Sequence, residues 1–95
     1  MLTHIVLFKL KNTCDENIQK TKKVLLSLQG EISYLRFLEV GNDILHSERS
    51  YDIALYTKFD SLADMQAYQI HPAHLKVQKH MHEVRESSVA IDYES

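Results

Sequence analysis

Two glycines, one proline, one cysteine and no tryptophan are spread over 95 residues. Each scarcity excludes something. Gly30 and Gly41 stand alone and cannot build the glycine-rich loop that cradles nucleotide phosphates, so no nucleotide cofactor is expected. A single cysteine, Cys14, rules out an intrachain disulfide and suits a reducing cytoplasm. No apolar run approaches the ~18 residues of a membrane span. The first such run, Ile5 to Phe8, is also too short for the core of a signal peptide. A dominant charge is missing too: 11 basic and 13 acidic side chains give a formal net charge of -2, with no basic stripe for nucleic acid. There is no low-complexity segment and no repeat. The 44% apolar and 25% charged content is that of an ordinary globular protein. A single domain over residues 1–95 is expected, with a core small enough to gain from association.

The apolar periodicity supplies the elements. Thr3 to Lys11 alternates as a strand, with His4, Val6, Phe8 and Leu10 on one face and Ile5 and Leu7 on the other. Thr13-Cys14-Asp15-Glu16 has the form of a capping box, predicting a helix to about Gln29 that buries Ile18, Leu25 and Leu28 and ends at Gly30. Lys20, Lys22 and Lys23 belong to its solvated side. Tyr34 to Val40 reads as a second strand, Gly41-Asn42-Asp43 as a turn and Ile44 to Ser50 as a loop. Tyr51 to Phe59 is a third strand with Ile53, Leu55 and Phe59 on one face. Ser61 to Asp64 opens a helix whose inward residues are Leu62, Met65 and Tyr68. The residue before a proline avoids helix, and proline itself suits the first helical turn. His71 therefore breaks this helix and Pro72 starts the next, which turns His74, Val77, Met81 and Val84 inward. Ser88 to Tyr93 closes the chain as a strand, Val89, Ile91 and Tyr93 alternating against Ala90 and Asp92.

The order β-α-β-β-α-β, with its second helix broken, predicts an α+β ferredoxin-like fold: a four-stranded antiparallel sheet covered by helices on one face. The strands are apolar on both faces. The uncovered face needs a partner, and packing the sheets of two chains together into a dimeric α/β barrel meets that need.

The segment Tyr68-Gln69-Ile70-His71-Pro72-Ala73-His74 carries the candidate chemistry. A histidine can accept a proton near neutral pH, and a tyrosine can donate a hydrogen bond to a carbonyl turning into an enolate. Tyr68 and His74 together are thus the minimum for abstracting a proton next to a carbonyl. The plainer alternative has His74 capping its helix and Tyr68 filling the core. His4 shares the helix-facing side of its strand, either meeting that pair in one cavity or bonded to backbone as a half-buried histidine. His71 is assigned a structural role, holding the bend by a ring-to-backbone hydrogen bond. No metal site is expected. His71 and His74 are separated by the Pro72 break, and His80 and His82 point to different helix faces. Cys14 has no neighbour that suggests redox work.

These segments resemble the Dabb family, the stress-responsive dimeric α/β-barrel domain. The likeness is carried by Met1 to Lys9 at the start, by Tyr51-Asp52-Ile53-Ala54-Leu55 with Phe59, by the Y-x-x-H-P-x-H element from Tyr68 to His74, and by Asp92-Tyr93. The resemblance implies a homodimer of face-to-face sheets and a cavity between helices and sheet in each subunit. A plant member that cyclises a polyketide by aldol condensation uses a tyrosine and a histidine of this element, without metal or cofactor. By that likeness Tyr68 and His74 are the catalytic candidates, with His4 as a cavity histidine. A further cavity histidine of that member falls at Ile53 here. The leading expectation is a cytoplasmic, cofactor-free homodimer of unassigned reaction, with a small-molecule cavity for binding or for acid/base chemistry on a carbonyl compound. The rivals are a non-catalytic stress-associated binding or structural protein, and a cofactor-free monooxygenase of the wider barrel superfamily, which the lack of tryptophan disfavours.

Overall fold

The computed structural model describes residues 1–95. Seven elements follow in the order β1 (Leu2–Leu10), α1 (Asp15–Leu26), β2 (Phe37–Asn42), β3 (Ile53–Phe59), α2 (Leu62–Gln69), α3 (Pro72–Val84) and β4 (Arg85–Glu94). The strands form one antiparallel sheet in the order β2-β3-β1-β4. This is the ferredoxin-like α+β fold that the element order predicts.

β1 lies at the centre, and its alternation decides what each face becomes. His4, Val6 and Phe8 pair with Thr57, Leu55 and Ile53 of β3, and with Asp92, Ala90 and Ser88 of β4. This side carries the core, which Leu25, Leu28, Met65, Tyr68, Val77 and Met81 complete from the helical layer and its turns. On the other side Ile5 and Leu7 pair with Tyr56 and Ala54 and with Ile91 and Val89. No element of the chain covers that side: Ile91 is 58% exposed, and Val89, Tyr93 and Phe37 are exposed with it.

Several expected boundaries shift, each for a local reason. The capping box at Thr13 does not form. The Asn12 side chain accepts from the Cys14 amide at 3.0 Å, a local turn that moves the N-cap to Cys14. Asp15 and Glu16 then lie in the first turn, where the helix dipole favours them. α1 ends at Leu26 rather than Gln29, because the amides of Leu28 and Gln29 bond three residues back and tighten the coil. Gly30 follows with φ of +82°, the left-handed conformation glycine adopts without strain. β2 starts at Phe37 and runs through the expected turn at Gly41 and Asn42, which pair with Ala54 and Ile53. Leu62 is half exposed instead of inward, because it opens the first turn of α2, whereas Met65 and Tyr68 are buried. β4 begins at Arg85, directly at the end of α3.

The helix break is as expected. Ser61 caps α2 through the Asp64 amide at 3.2 Å. Pro72 is the first residue of α3, and His71 is its N-cap, the ring Nδ1 accepting from the Ala73 amide at 3.1 Å. His71→Ala should therefore cost about 1 kcal/mol of unfolding free energy, and His71→Asp, which restores an acceptor, should recover most of it. Urea unfolding of the two variants checks this, and equal losses would remove the capping role.

Candidate functional site

His4 is fixed by both strands that flank β1. Its backbone carbonyl accepts from Thr57 Oγ1 at 2.9 Å. Its ring Nδ1 bonds the carboxylate of Asp92, the residue directly opposite on β4. An ionised carboxylate only accepts, so Nδ1 carries the hydrogen, and in its neutral form the ring keeps a lone pair on Nε2.

His74 reaches the same tautomer by another route. It lies in the first turn of α3, and its Nδ1 donates to the Gln69 carbonyl at the end of α2, 3.1 Å away. Burial lowers its pKa against the opposing effect of the Gln69 bond, and the nearby His4 and His71 lower it further. Near pH 7 His74 is accordingly a neutral imidazole with a free Nε2 lone pair.

Tyr68 is packed between these rings and the core. Its ring centroid is 4.4 Å from that of His74, 4.9 Å from Phe59 and 6.3 Å from His4. The side chain is 0% exposed, and its hydroxyl has no hydrogen-bond partner. Burial pushes its pKa far above the ordinary tyrosine value. The phenol thus stays protonated and is able to donate a hydrogen bond rather than to act as a base.

A pocket of about 190 Å³ opens beside this cluster, between the sheet and α3. Val6, Phe8, Leu55, Val77 and Met81 give it an apolar lining. His4, His74, Gln69, Gln78, Arg85 and Ser88 supply its polar groups. Larger hollows elsewhere are more open and are lined mostly by polar residues.

Of the candidates read from the sequence, His4 and His74 are brought together on the pocket wall. Tyr68 packs against both but is sealed off from the lumen. His71 turns away, edge-on to Tyr34 at 6.4 Å, and Pro72 lies with it beside a separate hollow. Ile53 is buried hydrocarbon opposite Phe8. Cys14 is exposed at the start of α1. Sequence reasoning gave no site role to Asp92 or Arg85. Asp92 was legible as the polar alternate of β4, but only the pairing register reveals that it meets His4.

The description "Stress responsive A/B Barrel Domain" (Dabb) matches residues 2–95. The chain belongs to this family. An Arabidopsis thaliana stress-response A/B barrel domain-containing protein, DABB1, is 26% identical over 98% of the chain. The chain spans 46% of that curated relative, about half its length. A solved structure from Bacteroides fragilis, described as a dimeric protein of unknown function with a ferredoxin-like fold, is 35% identical. The match covers 99% of this chain and 95% of that one, with a TM-score of 0.85. The hydroxynitrile lyase of Passiflora edulis has the same fold, with a TM-score of 0.83 at 21% identity over 97% of this chain and 90% of its own.

The isolated Tyr68 hydroxyl gives a direct expectation for this A/B barrel. A buried hydroxyl without a partner costs about 1–3 kcal/mol, so removing it should not destabilise the protein. Tyr68→Phe is expected to leave the unfolding free energy unchanged or raise it by about 1 kcal/mol. Calorimetry or denaturant unfolding measures it, and a clear loss of stability would mean that the hydroxyl has a partner.

Proposed function

We propose that the pocket binds a small carbonyl compound and supports acid/base chemistry on it without metal or cofactor, and that the chain works as a homodimer joined through its open sheet face. One observation carries the chemical part: two imidazoles that each leave Nε2 free of its ring's hydrogen bond line a pocket of mixed apolar and polar walls, with the unpartnered phenol of Tyr68 packed directly behind them. In this reading His74 Nε2 takes a proton from the carbon next to the carbonyl, and the electron pair moves onto the carbonyl oxygen. The Tyr68 hydroxyl donates to that oxygen once the enclosing side chains shift to admit it. His4, its tautomer held by Asp92, accepts a hydrogen bond from the ligand and fixes its orientation.

Relatives support this class of chemistry without naming the substrate. The Tyr68 to His74 element resembles that of olivetolic acid cyclase, and a hydroxynitrile lyase in Passiflora edulis is built on the same fold. Ile53 in place of a polar group argues against the cyclase's own polyketide. The enclosure of Tyr68 favours a second reading, a stress-associated binding protein that performs no reaction. The unpaired cysteine fits a cytoplasmic setting for either.

Hydrogen–deuterium exchange next to the carbonyl, followed by proton NMR over a panel of small ketones and oxo acids, separates the two. Exchange on at least one compound should exceed the buffer rate and fall about 100-fold in His74→Ala. Because the pKa of His74 is lowered, the neutral base persists as the pH falls, and the acid limb of the rate profile should lie below 6.5. Binding without exchange across the panel would leave the non-catalytic reading.

The homodimer is supported by the apolar strip of Ile5, Leu7, Val89 and Ile91, and by the dimeric relative from Bacteroides fragilis. Ile91→Lys puts a charge in the middle of that strip and should convert the dimer to a monomer by light scattering. A monomeric wild type would remove the proposed assembly.

A further inference from the structure

Alternation along β4 directs Ser88, Ala90 and Asp92 to the helix-facing side, opposite Phe8, Val6 and His4. Unbroken, the pattern would add Glu86 opposite Leu10. The pairing instead slips between Lys9 and Leu10, so that Leu10 meets Arg85 and Glu86 is passed over. One bulge thereby exchanges a carboxylate for a guanidinium at the pocket. Arg85 lines the pocket, half-buried, and donates to Ser88 Oγ at 2.6 Å and to His82 Nδ1 at 3.1 Å. Neither partner brings negative charge. No carboxylate lies within ion-pair distance of Arg85, and none lines the pocket. The acidic residue on that face of β4, Asp92, is already engaged by His4.

A half-buried guanidinium with neutral partners has lost part of its hydration and gained no counter-charge, and its planar fork matches a carboxylate. We propose that the ligand of this pocket is a small organic carboxylate. Arg85 receives its carboxylate, and Phe8, Val77 and Met81 pack its hydrocarbon part. About 190 Å³ corresponds to roughly six water molecules of liquid, the scale of a single-ring or short-chain acid. The inference rests on the reading of this pocket as the ligand site, and it narrows the carbonyl compound to an oxo acid anchored at Arg85 with its carbonyl toward His74.

The test titrates the purified full chain with benzoate, benzamide and inorganic phosphate, followed by calorimetry and by the NMR signals of the histidine rings. Benzoate should bind about tenfold more tightly than benzamide and should weaken with added salt. Arg85→Met should bring the two within about twofold of each other. Phosphate, which has no hydrocarbon part, should bind far more weakly than benzoate. Equal binding of benzoate and benzamide by the wild type overturns the carboxylate while leaving the pocket as a ligand site, and this comparison needs no variant to fold. A preference that survives in Arg85→Met, or phosphate binding as tight as that of benzoate, also overturns it. Binding of neither organic probe overturns both the carboxylate and the pocket.

Discussion

Pro72 has no amide hydrogen to give, and its ring forbids a helical turn before it. α2 must therefore stop, and the site depends on that stop. In one unbroken helix, residues 68 and 74 would point roughly 120° apart, and only one of them could face the sheet. Breaking the coil at His71 lets the end of α2 bring Tyr68 inward and lets α3 restart with His74 on the same side. Their ring centroids end 4.4 Å apart. The break also frees the Gln69 carbonyl at the end of α2, and this is the group that sets the tautomer of His74. Proline geometry thus fixes both where the imidazole sits and which nitrogen it offers.

The central strand imposes the second constraint. β1 is apolar on both faces, and a period of two residues sends each side chain to a definite side. The side that includes Val6 and Phe8 also takes His4, so a polar group enters the core layer and has to be satisfied there. Asp92 does this from β4, and the Thr57 hydroxyl holds the adjoining backbone from β3. The pocket opens where the helical layer does not fully fill the space above these strands. On the other side Ile5 and Leu7 meet exposed Val89 and Ile91. An apolar sheet face of this kind is uncommon on an isolated chain.

How far the site was legible in the sequence follows from whether a feature is local. The inward positions of Tyr68 and His74, the break at Pro72 and the ring-to-backbone hydrogen bond of His71 all depend on neighbours within four residues, and the structure has each of them. The faces of β1 and β3 follow from strict alternation and are likewise as expected. The failed capping box at Thr13 was a contest between two short polar side chains, and Asn12 took the amide that sets the helix start. Arg85 was beyond the reach of sequence pattern altogether. Strict alternation directs Glu86 to the pocket side, and a slip of one residue in pairing with β1 leaves no mark in composition or periodicity. Full enclosure of the Tyr68 hydroxyl was also invisible, since periodicity gives direction and not depth.

These placements set the polarity of the pocket. In their neutral forms His4 and His74 both present Nε2 lone pairs, and Tyr68 holds its proton firmly under burial. That end of the pocket therefore carries two acceptors beside an enclosed donor. Arg85 presents fixed positive charge among neutral partners. Asp92 would offset that charge if it were free, but its bond to His4 commits it to orienting an imidazole. The same bond that keeps His4 usable as an acceptor thus leaves Arg85 without a counter-charge. A ligand that satisfies both groups must carry an anion at one end and a group able to yield or share a proton at the other, joined by hydrocarbon short enough for the apolar walls between them.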